Sequence, residues 1–350
     1  MQESMIKNFI MNASYFEVLD YKSKGKKPIV EEYEQNQWSY MVEIMILTIK
    51  SLLPSQSNDG NIIDYKRFLE ELKLWKSYRH GYNKDIINAI DKNYTKEYWN
   101  STDETIYARI VPITLANQNW HTVKKETIKN ILYTSGNIEI LLEYVLLSKI
   151  LFLKLKYKDY EYIDILETLK QEIINFSQKD LLECDDFYKM PKDTYCKNYV
   201  IEFERTKIDI ISFLNGININ QKFNTLRESL YILKESETYI YEKDNGNFFT
   251  HGLVGMIKGE IISRDIKDIN FIESLCSYIT KLRKGRINPE SLYIESYKDT
   301  DIFKYNYDEA FSHDILNKCQ IIYKGERDRF IISYVKTRAG IYRFVKLKDN

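Results

Sequence analysis

The chain has 350 residues, and its 51 Lys and Arg balance 51 Asp and Glu, so no global field draws it to nucleic acid or to a membrane surface. Hydrophobic residues make up 44% and aromatic residues 14%, enough for a packed core and too many for a disordered chain; 12 Gly and 5 Pro are few for a loop-rich sandwich and agree with long helices. Cys184, Cys196, Cys276 and Cys319 are widely spaced without a Cys-x-x-Cys pair, which predicts free thiols in a reducing compartment and no zinc. Residues 1–20 hold no apolar run of signal-peptide length, and no stretch approaches ~18 uncharged apolar residues. The expectation is a cytoplasmic protein without a membrane partner. Heavy use of Lys, Ile, Tyr and Asn suggests an AT-rich bacterial or phage genome.

In chain order, Met5–Tyr21 carries apolar residues at helical spacing. Lys22–Lys27 is basic and Pro28–Asn36 acidic, and both read as solvated connections. Gln37–Leu53 is an apolar helical stretch, followed by a polar turn at Ser55–Gly60. Asp64–Tyr78 repeats Phe68, Leu69, Leu72, Leu74 and Trp75, an amphipathic helix. Thr127–Leu153 is the most apolar helical region, and Lys154–Tyr199 gives two amphipathic segments and an acidic loop at Glu183–Lys197. From Asn288 the period changes. Gln320–Tyr323, Arg329–Val335 and Ile341–Leu347, with Lys324-Gly325-Glu326 and Arg338-Ala339-Gly340 as the turns between them, predict a three-stranded antiparallel meander, with Leu292–Tyr297 as a candidate further strand. The boundary is placed near 287, giving a helical part at 1–287 and a β-rich extension at 288–350.

Five segments carry a family resemblance. Gln37-Trp38-Ser39-Tyr40-Met41-Val42, running to Ser51-Leu52-Leu53, resembles the opening of the ADP-ribosylglycohydrolase family, where Trp-Thr-Asp-Asp-Thr-Gln leads into a helix ending Glu-Ser-Leu-Leu. Met5–Tyr21 is similar to that family's glycine-rich first helix, with Asn8, Asn12, Phe16 and Asp20 on the glycines and Glu17 on its Asp. Asp103–Ile113 keeps Arg109 and Pro112 in register with Gly-Asn-Gly-x-x-Met-Arg-x-x-Pro-Ile. Asn215–Ile219 with Thr225–Leu230 follows Gly-Tyr-Val-x-x-Thr-Leu. Asp244–Glu260 matches Gly-Gly-Asp-x-Asp-Thr-Asn with its small-residue helix, keeping Gly255 and Gly259. The resemblance covers roughly residues 5–285. It implies a mostly α-helical ADP-ribosylglycohydrolase-like domain, to which the β-rich tail is an addition.

In that family two magnesium ions, ~3.5–4 Å apart in sites of this kind, polarise the ribosyl linkage and position a water. On this chain the first ligand set falls on Ser39, Tyr40, Met41 and Val42, and the last on Gly246, Phe248, Phe249 and Thr250. Magnesium requires hard oxygen donors, and these positions have lost their carboxylates. The resemblance therefore implies a degenerate cleft, with Arg109 retained, magnesium lost and no cofactor. It implies a pseudoenzyme that binds a protein partner, in toxin immunity or in phage or bacterial defence or counter-defence.

Two other readings stay open. Glu17, Asp20, Glu43 and Glu104 could rebuild an acidic site for ADP-ribosyl hydrolysis, or be solvated helix-end charges. Tyr40, Met41, Phe248 and Phe249 either fill the old cleft or line an aromatic pocket for ADP-ribose or an adenine nucleotide. His121 and His251 have no catalytic partner visible in the sequence. The basic runs Lys22–Lys27 and Lys281–Arg286 are read as solvated faces, so nucleic acid is not an expected partner.

Overall fold

The computed structural model describes residues 2–56, 60–157, 160–217, 222–235, 246–288 and 300–348. Its helices are α1 (Gln2–Ser23), α2 (Tyr40–Lys50), α3 (Tyr65–Tyr78), α4 (Lys84–Asp91), α5 (Thr105–Ala116), α6 (Trp120–Leu132), α7 (Ile138–Lys156), α8 (Tyr162–Asn175), α9 (Gln178–Leu182), α10 (Tyr199–Leu214), α11 (Asn224–Lys234), α12 (Phe248–Lys258) and α13 (Ile269–Arg283). The protein is thus mostly helical, as its composition and periodicity predict. Among the described residues no helix is long and apolar enough to cross a membrane.

The helices sort by how much of their surface is apolar. Nine consecutive residues of α2, Met41–Ile49, are buried, as are Phe248–Met256 of α12 and most of α5 and α7. These four form the interior. Helices α3, α8, α10, α11 and α13 bury one stripe each and lie outside them. Side chains that accept from orphan backbone N–H groups start many of them: Ser39 for α2, Asp64 for α3, and Asn83, Asn119, Asn137, Asn198 and Asn247 for α4, α6, α7, α10 and α12. Each such cap stabilises by about 1 kcal/mol.

No pair of helices packs more extensively than α1 and α12. Two glycines of α12 permit the approach, because a Cβ at Gly252 would collide with the Phe9 ring and one at Gly255 with the Asn12 side chain. Asn12 also clamps the end of α12, donating to Glu260 O at 2.8 Å and accepting from Ile262 N at 2.9 Å. The glycine kept at 259 has another use: it closes α12 at φ +72°, in the left-handed region.

Strands β1 (Leu52–Pro54) and β2 (Asn61–Ile63) pair antiparallel on either side of the stretch read as a polar turn, of which residues 57–59 lie outside the described residues. The C-terminal sheet is an antiparallel meander of four described strands, β3 (Ala310–His313), β4 (Asn317–Arg327), β5 (Phe330–Thr337) and β6 (Gly340–Leu347). The expected three strands are β4, β5 and β6. Strand β3 is an addition, too short and polar to show a period of two. Lys324-Gly325-Glu326, read as a turn, lies inside β4; the chain reverses at Asp328 and Arg329, where Asp328 takes φ +53°. The candidate strand Leu292–Tyr297 and the stretch just after the 287 boundary lie outside the described residues.

The sheet packs on the helices. The Tyr78 ring of α3 stands edge-on to Tyr342 at 5.0 Å and to Phe344 at 5.6 Å. Beside them Arg343 donates to both oxygens of buried Glu34 at 2.9 and 3.0 Å, and the Tyr334 hydroxyl donates to Glu34 as well. The Pro28–Asn36 loop is therefore an anchor for the sheet, not the solvated connection its charge suggests. Lys267 adds a further tie, donating to Ile341 O at 2.9 Å and to Gln37 at 2.7 Å.

Candidate functional site

The residues matched to the family's cleft come from the C-terminal half of α1, the start of α2, and the starts of α5 and α12. On α1, Glu17 is buried and accepts from the Ser39 hydroxyl, which also caps α2 by accepting from Met41 N at 3.0 Å. One hydroxyl thus joins two helices. Burial pushes the Glu17 carboxyl up to about 8; the Ser39 hydrogen bond opposes the rise and the nearby Asp20 charge adds to it. At pH 7 Glu17 is mostly a neutral acid. The Tyr40 hydroxyl donates to Glu104, the residue before α5, and partial burial raises that carboxyl too. The Tyr40 ring lies against Gly81, where a Cβ would overlap it. Lys24 pairs with Asp20 at 2.6 Å, and its charge is felt by both Glu17 and Glu104.

Three of the four candidate carboxylates therefore gather here, with Lys24 as a cation that the sequence reading had assigned to a solvated loop. Glu43 faces elsewhere. It lies one turn along α2, where it accepts from Trp75 Nε1 at 2.8 Å and from His80 N at 3.1 Å, and its other oxygen is 2.6 Å from His80 Nδ1. His80 is fully enclosed, and burial outweighs the Glu43 charge to hold its pKa below the ordinary value. Glu43 thus binds α2 to the end of α3, under the C-terminal sheet.

The other matched positions are packed. Met41 and Val42 belong to the hydrophobic core, as do Phe248 and Phe249. Phe249 meets Phe9 edge-on at 5.8 Å and lies 6.3 Å from Tyr107, which itself stacks on Tyr144 at 4.5 Å. Phe16, at a family glycine position, stacks on buried His251 with ring centres 4.0 Å apart, placing two rings between α1 and α12. His121, by contrast, is exposed near the start of α6. Across both ligand-matched sets the side-chain oxygens are those of Ser39, Tyr40 and Thr250. The first two are bonded to Glu17 and Glu104, and Thr250 accepts from Asn247 N at 2.8 Å within the cap of α12. This donor set does not fit a magnesium ion, which needs several free hard oxygens.

Arg109, retained in register, is wholly buried. It donates to Asp103 at 2.7 Å, to Thr134 at 2.6 Å, and to Asn130 O and Oδ1 at 2.7 and 2.9 Å. Asp103 in turn accepts from Thr105 N at 2.9 Å and Asn83 at 3.0 Å. This network ties α5 to the α6–α7 turn and to α4, so its place in the chain is structural.

At the start of α12, Gly246 sits at φ +105° with Glu228, Thr250 and His251 around it, leaving no room for a Cβ. Asn247 donates to Thr225 at 2.9 Å, and the hydroxyls of Thr225 and Tyr107 are 2.6 Å apart. Glu143 of α7 accepts from Leu226 N at 3.0 Å at the start of α11, and burial pushes its carboxyl up to about 7. Glu228 and Glu143 are the site-adjacent acids that sequence reasoning missed. Neither lies in a matched motif position for an acid, and a lone Glu on a helix gives no other signal.

No family model matches the chain, and a search of curated proteins finds none similar to it.

Proposed function

We propose that this protein carries an ADP-ribosylglycohydrolase-like helical frame and acts without turnover, as a pseudoenzyme that binds a protein partner in toxin immunity or in phage or bacterial defence or counter-defence. The observation that carries the reading is the packing at both ends of the matched cleft. Met41, Val42, Phe248 and Phe249 are core side chains there, and Phe16 on His251 occupies the space between α1 and α12. Burying a large apolar side chain is worth ~1.5–3 kcal/mol. Reopening the cleft would forfeit that several times over.

A protein partner is favoured by apolar side chains left exposed on α8 and α10, two helices that pack on one another. Ile163, Ile174, Val200, Ile201 and Ile208 are each more than half exposed there, Ile201 and Ile208 at 63%. Exposed apolar groups on neighbouring helices mark interaction surfaces more often than isolated ones do. Chemical cross-linking of the full chain in a lysate of its own cells, followed by mass spectrometry, should place cross-links to one partner on α8 and α10. Ile201→Glu with Ile208→Glu should abolish them without lowering Tm. Cross-links that survive the double variant would count against the assignment of these helices.

One observation favours a second reading, an active hydrolase with a rebuilt acidic site. Glu17 and Glu104 are carboxyls in different environments beside Asp20 and Lys24, as general acid–base chemistry requires. Release of ADP-ribose from a modified protein, lost in Glu104→Gln, would establish it; absence of release by the wild-type chain is the outcome expected here.

A further inference from the structure

A recess of about 370 Å³ opens beside the α3–α4 corner, lined by Tyr65, Tyr94, Tyr133, Lys92 and Lys189 among others. It shares no residue with the cleft between α1 and α12. Its volume is at the lower end of the range for small-molecule sites.

Its charges are unusual for this chain. Lys189 is half-buried, with its ammonium 5.2 Å from the centre of the Tyr133 ring and 5.8 Å from that of Phe187. Burial holds its pKa below the ordinary lysine value, the Lys92 cation pushes it the same way, and no carboxylate acts on it. Lys92 caps the end of α4 at φ +55°, and neither lysine forms an ion pair among the described residues. Glu126, whose charge reaches Tyr65, is engaged by Lys129 at 2.7 Å. Two lysines therefore line one recess, and the charge of Lys92 acts on the partly desolvated Lys189 with no acid among the groups that act on it. A bound dianion would supply the missing negative charge. Tyr65, Tyr94 and Tyr133 make the rest of the lining largely aromatic, a surface that inorganic phosphate would not use.

We propose that this recess binds a small phosphorylated aromatic molecule, a nucleoside monophosphate or an aryl phosphate, with its phosphate between Lys92 and Lys189 and its ring against the tyrosines. The assignment is independent of whether the α1–α12 cleft is closed.

Isothermal titration of the full chain in a phosphate-free buffer with phenyl phosphate, AMP, inorganic phosphate, phenol and adenosine tests it. Phenyl phosphate or AMP should bind at least tenfold more tightly than inorganic phosphate, and the uncharged phenol and adenosine should not bind. The tighter of the two esters identifies the ring class. Lys189→Gln and Lys92→Asn should each weaken that binding at least tenfold, and Lys189→Arg should retain most of it. Asn tolerates the left-handed backbone at 92, so that variant keeps the cap of α4. An unchanged Tm would verify that both variants are folded. The proposal is overturned if neither ester binds, if inorganic phosphate binds as tightly as both, or if binding is unchanged in the folded variants.

Discussion

Glu17 shows how one enclosed side chain makes stability depend on pH. Its folded pKa of about 8 lies above the ordinary value of 4.5, so between those limits the native state holds a proton that the unfolded chain has released. Stability is then fully present below about pH 4.5 and is lost as pH rises toward 8, by roughly 1.4 kcal/mol per pH unit at most. The charges around it are Asp20, Glu104 and Lys24, and the Ser39 hydroxyl holds one oxygen. Glu17→Gln keeps the shape and an acceptor for Ser39 without the titration. Its Tm should match the wild type near pH 4 and exceed it by several degrees at pH 8.5. Equal melting of the two proteins at pH 8.5 would show that Glu17 ionises normally in the fold.

The helices were legible in the sequence because their apolar periods are long. Met5–Tyr21, Asp64–Tyr78 and Thr127–Leu153 fall on α1, α3 and the α6–α7 pair. Shorter signals failed for physical reasons. The β1–β2 pair has three residues a side, and β3 alternates no clear apolar set. Gly325 suggested a turn, yet inside β4 it makes room for the Tyr323 ring. The acidic loop before α2 gave no hint that Glu34 is buried, because its partner Arg343 is some three hundred residues away in sequence. That pair governs how the sheet is held. Arg343→Met would leave the Glu34 carboxylate buried with only Tyr334, at a cost on the order of 3 kcal/mol. Hydrogen exchange should accelerate in β5 and β6 and stay unchanged in α1 and α12; slow exchange throughout would mean that Tyr78, Tyr342 and Phe344 hold the sheet without the ion pair.

Across the whole molecule, the residues read as one degenerate cleft have several structural roles. Glu17, Ser39, Tyr40 and Glu104 come together, Met41, Val42, Phe248 and Phe249 go to the core, and Glu43 and Arg109 brace helix junctions. The motif spacing could locate these positions but could not give side-chain direction along α2, where Glu43 sits a turn beyond Ser39 and faces the sheet. We propose that packed apolar side chains stand at the positions matched to the family's magnesium-holding acids, and titration of ADP-ribose into the full chain, with magnesium and again with a chelator, tests this most directly. The account predicts that magnesium makes no difference to the heat of binding. Tight binding seen with magnesium and abolished by the chelator would contradict it.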